Sequence, residues 1–278
     1  MKSWKLFPNI ESVSKYIECY WFLEKEPHDL SNNYPKLNPD PSAHLIITNN
    51  THTSHYTHNT ISQTAQGNHW IFPHINTLAM DHSAPFKIIG IKFKTGALYS
   101  LYRRDSGSIL DKVELADINR LFGTESIDTD ELLVSAIEKK DQLGNTLDES
   151  LSSCVLNAYE DKHSILVRKI LRLLSDTPIS EIGAKLHRSQ RTIERSFVRV
   201  TGLSMKQVNS MNRLEEILKH LYLLDNKDIN WADIARKYDF SDQPHFIHHL
   251  KNAIGRTPAE YVQRRDLTID TYGDFRII

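Results

Sequence analysis

Cysteine is scarce in this chain of 278 residues: Cys19 and Cys154 are the only two. Two thiols cannot build a disulfide framework, and they suit a reducing, cytoplasmic setting. They are also too few for a catalytic centre built on a cluster of cysteine ligands and a reactive cysteine. Long apolar runs are missing as well. No stretch approaches the roughly 18–20 residues that span a bilayer, so no membrane segment is expected. The opening "MKSWKLFPNIESVSKY" has no continuous apolar run and does not read as a secretory signal.

What is present is ordinary in total and uneven in distribution. A hydrophobic share of 40% and a charged share of 25% suit a globular protein of this length with two domains or one large one. The net charge of −1 hides a division. Residues 162–266 hold 19 Lys and Arg against 12 Asp and Glu, a net of +7, and the rest of the chain carries −8. One part suits a polyanion and the other would be repelled by it.

The basic part repeats itself. Ile182, Leu186 and Ser189 recur as Ile234, Tyr238 and Ser241, at an offset of 52. Ile193, Phe197, Gly202 and Met205 recur as Phe246, Leu250, Gly255 and Pro258, at an offset of 53. One inserted residue, in the turn or just after it, explains the change. Each copy reads as a short apolar-striped helix, a polar turn and a second helix, which is the pattern of a helix-turn-helix. Thr177 is expected to cap a helix that has Pro178 at its first position. Ser189, and Ser241 or Asp242, are expected to cap the second helix of each unit. Val208, Met211, Leu214, Ile217, Leu218 and Leu221 stripe a long helix between the units. Thr257, Pro258 and Glu260 form a capping box.

The preceding residues read differently. Residues 1–125 look mostly β, with "HLIITNN", "HWIFP" and "FKIIGIKFK" as strands, and Gly90 interrupts the last as a bend or bulge. The polar stretch 49–68 reads as a loop or an exposed hairpin. Residues 126–161 read as linker or dimerisation helices, with packing against the β domain as the alternative. Residues 162–266 form the tandem unit, and 267–278 a tail that reads as a strand, an arm or a disordered end.

A recognition helix buries one face and presents the other to base edges and phosphates. With Ile193, Phe197 and Val200 buried, Gln190, Arg191, Glu194 and Arg195 are presented. An Arg–Glu pair on a solvated helix is the alternative for Arg191, Glu194 and Arg195. In the second unit Phe246 and Leu250 are buried, leaving Gln243, Pro244, Ile247, His248 and Lys251 as candidates, with Lys251 suited to a phosphate.

These residues carry a resemblance. "SxxTIxRxFxxxTG" from Ser189 to Gly202, Arg213, and "IAxxYxFSDQPHFxxxLKxxxGxTPxxY" from Ile234 to Tyr261 resemble the AraC-family (AraC/XylS-type) DNA-binding domain. The resemblance implies seven helices, a long central one joining the two units, and recognition helices in adjacent major-groove segments. Its base-reading positions fall on Arg191, Glu194 and Arg195, and on Gln243, Pro244, Ile247 and His248. Asp239, Pro244, His248 and Leu250 depart from the family's Gly, Ser, basic residue and Phe. Base readout by the second unit is therefore expected to be weaker, with a mainly positional role.

"YIECYWFLE", "PDPSAHLIIT" and "IIGIKFKTGALYSL" resemble the cupin-like sensor domain of a subset of these regulators. The expected fold class is thus α+β: a cupin-like β domain, a helical linker and an all-α tandem helix-turn-helix domain. Trp21, His44, Trp70 and Phe93 are the candidate effector-binding residues, with core packing as the alternative for each. His52, His55 and His58 lie three apart, but the segment reads as an exposed polar loop. No His-x-His with a suitably spaced Glu is present, so no metal or cofactor is expected. The sequence reads as a sequence-specific transcriptional regulator with no catalytic residues. Its expected partners are double-stranded DNA, a small-molecule effector or protein partner, RNA polymerase and a second copy in a homodimer. The alternative is an interaction protein that sequesters another regulator without specific DNA binding.

Overall fold

The computed structural model describes residues 2–102, 110–123, 127–224 and 229–272. The first part is built on ten strands: β1 Lys2–Leu6, β2 Ile17–Lys25, β3 Lys36–Leu37, β4 His44–Thr48, β5 Thr53–His58, β6 Ile61–Gln66, β7 His69–Ile71, β8 Leu78–Met80, β9 Phe86–Phe93 and β10 Val113–Leu115. They form a six-stranded sheet in the order β1-β2-β9-β4-β7-β10 and a four-stranded sheet in the order β3-β8-β5-β6. The short helices α1 Glu11–Ser14 and α2 Ala97–Leu101 lie between β1 and β2 and between β9 and β10, and α3 Ile118–Phe122 follows β10. Two longer helices follow, α4 Thr129–Glu138 and α5 Lys140–Leu156.

Parity along each strand decides which side a residue faces. Tyr20 and Phe22 of β2, Leu45 and Ile47 of β4, Trp70 of β7, and Ile89, Ile91 and Phe93 of β9 share one core with Leu133, Ala136, Leu143, Leu147, Leu151 and Val155 of the helices. Leu23, Ile46, Ile71 and Ile88 point the other way. They meet Tyr56, Leu78 and Met80 between the two sheets. The large sheet is thus buried on both faces, which is why β4 reads as an unbroken apolar run and β9 as an imperfect alternation.

Two of the stated alternatives are decided here and one expectation is corrected. Residues 129–156 pack as a layer on the first domain's core, the alternative named for them, with Leu133, Ala136, Leu143, Leu147, Leu151 and Val155 spent against the sheet. Gly90 makes no bulge: it pairs in register with Trp21 on one side and Ile46 on the other. A Cβ at Gly90 would stand 1.9 Å from Trp21 Cε2, so its missing side chain is what lets the indole lie across the strand. The 49–68 stretch is a hairpin, with β5 paired to β6 from Thr53↔Gln66 to His58↔Ile61.

The second part holds seven helices among the described residues up to Arg264: α6 Lys162–Leu173, α7 Ile179–Lys185, α8 Gln190–Thr201, α9 Met205–Leu223, α10 Trp231–Lys237, α11 Gln243–Ile254 and α12 Pro258–Arg264. Two cores divide α9 between them. Met205, Val208 and Met211 join Val167, Ile170, Ile182, Ile193, Phe197 and Val200. Leu214, Ile217, Leu218 and Leu221 join Ile234, Phe240, Phe246, Leu250 and Tyr261. One helix therefore ties both units together.

An eighth helix in this part, α13 Thr268–Tyr272, was not legible in the sequence. Leu267 before it is buried in the second unit's core, and Tyr272 is buried in the inter-sheet core of the first domain. This corrects the expectation of a strand, arm or disordered end for 267–272. Residues 273–278 and the expected boundary at 125 and 126 lie outside or at the edge of the described residues.

Candidate nucleic-acid interface and interdomain cavity

In the first unit the turn between α7 and α8 passes through His187, at φ 52°. Ser189 then caps α8, its side chain accepting from the Thr192 amide. In the second unit Asp239 takes the equivalent place at φ 53°, and Asp242 caps α11 by accepting from the His245 amide. Asp239 lies 52 positions after His187, and Asp242 lies 53 after Ser189. The inserted residue therefore falls inside the turn, and the cap equivalent to Ser189 is Asp242, not Ser241. Ahead of α7, Pro178 occupies the cap position. The Thr177 hydroxyl accepts from Lys185 Nζ at 2.9 Å instead of capping the helix as expected.

Asp239 stands where the resemblance expects Gly, in a backbone region that costs an L-residue about 1–2 kcal/mol. Arg213 of α9 holds this turn: its Nη2 donates to the Asp239 carbonyl at 3.2 Å, and its guanidinium lies 4.4 Å from the Phe240 ring centre. The bond uses the backbone and not the carboxylate. Asp239→Gly is accordingly expected to stabilise the protein by about 0.5–1 kcal/mol, after the greater unfolded-state freedom of glycine is set against the relieved strain. A urea titration followed by circular dichroism would register this as a higher midpoint. An unchanged or lower midpoint would show that the carboxylate contributes to the turn.

On α8, Ile193, Phe197 and Val200 are buried, while Arg191, Glu194 and Arg195 are exposed. Gln190 differs from this set. It is half-buried, its amide nitrogen donates to Glu194 Oε1 at 2.8 Å, and its amide oxygen is enclosed. It thus ties down the Glu194 carboxylate, which corrects its expected full presentation. Arg199, also exposed, donates from Nε to the Tyr99 hydroxyl at 3.2 Å, linking α8 to the first domain.

Three basic residues that the sequence reading left aside sit beside Arg195. Lys162, Lys169 and Arg188 line an open groove with His163, Thr192 and Arg195. The available signal was the seven-residue spacing of Lys162 and Lys169, which puts both on one face of α6. Cations on a rim around a presented helix suit a phosphate backbone.

On α11, Phe246 and Leu250 are fully buried. Gln243, Pro244, His248 and Lys251 are exposed, and Ile247 is half-buried against the unit's own core. The His248 ring meets the Asn252 amide at 2.9 Å. The second helix offers Lys251 as its cation and fewer charged groups than α8.

The four effector-site candidates separate cleanly. Trp21 and His44 line a cavity of about 180 Å³ between the sheets and the second part of the chain. Trp70 and Phe93 lie on the opposite face of the same sheet, in the core beneath α4 and α5, so core packing, the alternative named for them, is their place. The reason is parity: Trp70 pairs with Leu45 and not with Ile46, so it follows Leu45 to the helix side.

The cavity is walled by Leu23, Ile46, Ile71, Met80 and Ile88 of the first domain. Leu218 of α9 and Ile269 and Tyr272 of α13 complete the wall. Its polar end is ionic. Lys92 Nζ lies 3.2 Å from Asp40, 3.4 Å from Glu18 and 4.0 Å from Glu215 of α9, which also pairs with Lys219 at 2.8 Å. His44 meets Asp40 at 3.1 Å. Burial opposes the charge on Asp40, but Lys92 and then His44 outweigh it and hold the carboxyl well below its usual range. Burial likewise pushes His82, which contacts Tyr272, down to about 4.

On β5, His55 is exposed and His58 half-buried, and their odd spacing puts them on opposite faces of the strand. Among the described residues no group of three His, Cys, Asp or Glu is placed to hold a metal ion. Nor is any described helix long and apolar enough to cross a membrane.

Comparison with known proteins gives two domain matches. Residues 182–264 match a helix-turn-helix domain, and residues 7–114 match a Domain of unknown function (DUF6597). The Msm operon regulatory protein of Streptococcus mutans is 30% identical over 117 residues, which cover 41% of this chain and 39% of that protein. The match thus spans about two fifths of the curated relative's length. Among solved structures, unsaturated fatty acid bound ToxT of Vibrio cholerae is similar over 96% of this chain and 94% of its own, at 11% identity and a TM-score of 0.41. A DNA-binding transcriptional dual regulator of Escherichia coli K-12 is similar over 38% of this chain and 99% of its own, at 19% identity and a TM-score of 0.30.

Proposed function

We propose that this chain, whose residues 182–264 are a helix-turn-helix domain of the AraC type, is a sequence-specific DNA-binding transcriptional regulator controlled through its first domain. The observation that carries the reading is the exposure of Arg191 and Arg195 on a helix whose opposite face is sealed by Ile193, Phe197 and Val200. Arg can pair bidentately with guanine, and the neighbouring Lys162, Lys169 and Arg188 suit the flanking phosphates. The 19-residue α9 is about 28 Å long at 1.5 Å per residue. The resemblance of the tandem units to the AraC type implies two successive major-groove segments on one DNA face, about one turn apart, as the target.

The control follows from the contacts between the two parts. Thr77 Oγ1 donates to the Ala253 carbonyl at 2.7 Å, and the Lys36 amide to the Asp266 carbonyl at 2.8 Å. The first domain therefore touches both units, through Tyr99 and Arg199 at the first and Thr77 at the second. An effector acts by binding differently to DNA-competent and incompetent arrangements of these parts.

Selection of genomic fragments by the full chain tests the reading. The expected result is an enriched motif with two half-sites about one turn apart, the site facing α8 being the more sharply defined. Fragments recovered without any enriched sequence would favour the alternative of a sequestering protein.

A further inference from the structure

The interdomain cavity has a size, a wall and a polar end, and together they define what fits it. About 180 Å³ is close to the roughly 150 Å³ that accommodates one benzene ring in a dry engineered cavity. Its apolar wall is made by aliphatic side chains, Leu23, Ile46, Ile71, Met80, Ile88 and Leu218, with the aromatic rings of Trp21, Tyr56 and Tyr272 beside them.

The polar end carries both signs. Lys92 faces Asp40 and Glu215, and Lys219 is already paired with Glu215. A carboxylate brought to Lys92 would also meet those two carboxylates, and the like charges would repel it. A hydroxyl or amide can donate to a carboxylate and accept from an ammonium at once. Lys5, the third lysine of the lining, lies 5.5 Å from the Phe7 ring centre and pairs with no carboxylate among the described residues, so it is the group an anionic ligand would have to use, and benzoate is the probe that tests that route.

We propose that this cavity is a binding site for a compact, mostly apolar, uncharged molecule of about one ring bearing a hydroxyl or amide group. Its wall is completed by α9 and α13, so a bound molecule touches the helix that joins the two reading units and the segment that follows the second. The link from occupancy to DNA rests on the regulatory reading above; the binding site itself does not.

The full chain is titrated with benzyl alcohol, toluene and benzoate, followed by saturation-transfer NMR and thermal shift. Benzyl alcohol is expected to bind saturably and raise the melting temperature, with toluene weaker and benzoate at least about tenfold weaker. Ile88→Phe, which fills the space with a ring, is expected to cut benzyl alcohol affinity tenfold or more. Ile269→Ala is expected to weaken it several-fold. Circular dichroism checks the fold of each variant, and Met80→Phe serves if Ile88→Phe does not fold.

Benzoate binding as tightly as benzyl alcohol would overturn the proposed ligand class. No saturable binding of any of the three compounds, or full affinity in the filled variant, would overturn the site. Operator binding by the same preparation, read by fluorescence anisotropy, separates the two readings. DNA binding without benzyl alcohol binding sinks the cavity alone, and the reverse sinks the regulatory reading alone.

Discussion

Replacing Arg191 and Arg195 together with alanine is expected to lower affinity for the specific site by about two to four orders of magnitude. Each bidentate arginine–guanine pair is worth about 1–3 kcal/mol of discrimination, and the two side chains lie one turn apart on the exposed face of α8. Neither forms an ion pair among the described residues, so the fold loses little. Exposed substitutions of this kind usually change stability by no more than about 0.5 kcal/mol. The expected pattern is an unchanged circular dichroism melt with binding reduced to the non-specific level. If the pair touches phosphates instead, non-specific binding falls as well and the salt slope drops by about one per lost contact. Unchanged affinity for the selected site would defeat the assignment of α8 as the reading helix.

The second large effect is structural. Asp148 of α5 is 1% exposed and sits at the point where the helical layer meets the sheet. Its Oδ1 accepts from the Tyr20 hydroxyl at 2.6 Å, and its Oδ2 from the amides of Asn9 and Ile10 at 2.7 and 3.0 Å. Asp148→Ala removes the acceptor of three donors at once, the fully buried Tyr20 hydroxyl among them. Each unsatisfied donor costs about 1–3 kcal/mol, and hydrogen bonds to a charged group stand at the upper part of the range for such bonds. The expected loss is therefore about 3–5 kcal/mol, seen as a large fall in the urea midpoint of the first domain. A loss under about 1 kcal/mol would mean that water replaces the carboxylate and that the layer is not anchored there.

The tandem units were legible because their signals are local. Apolar residues four apart, a cap at Ser189 and a capping box at Thr257 each act within one turn of helix, and all three appear in the structure. Arg213 was legible as part of a motif, while its contact with the Asp239 carbonyl was not. The faces of the large sheet were not readable, because β4 and β9 are apolar on both sides and no alternation marks the inward one. That is why Trp70 and Phe93 stood beside Trp21 and His44 in the sequence reading. The stripe of α5 announced a buried face without naming what covers it. The four-residue spacing of Gln190 and Glu194 allows their bond without selecting it over presentation to solvent. The helix 268–272 depends on contacts with Lys36 and His82, far away in the chain, so no window of sequence contains its cause.

That last segment sets a limit on motion. Leu267 is seated in one core and Tyr272 in another, with four residues between them. Fully extended, five residue steps reach about 17 Å. The second unit is therefore on a short leash: travel away from the first domain beyond that radius pulls the Tyr272 ring from its socket, and the distance the unit can swing is fixed by where this anchor holds.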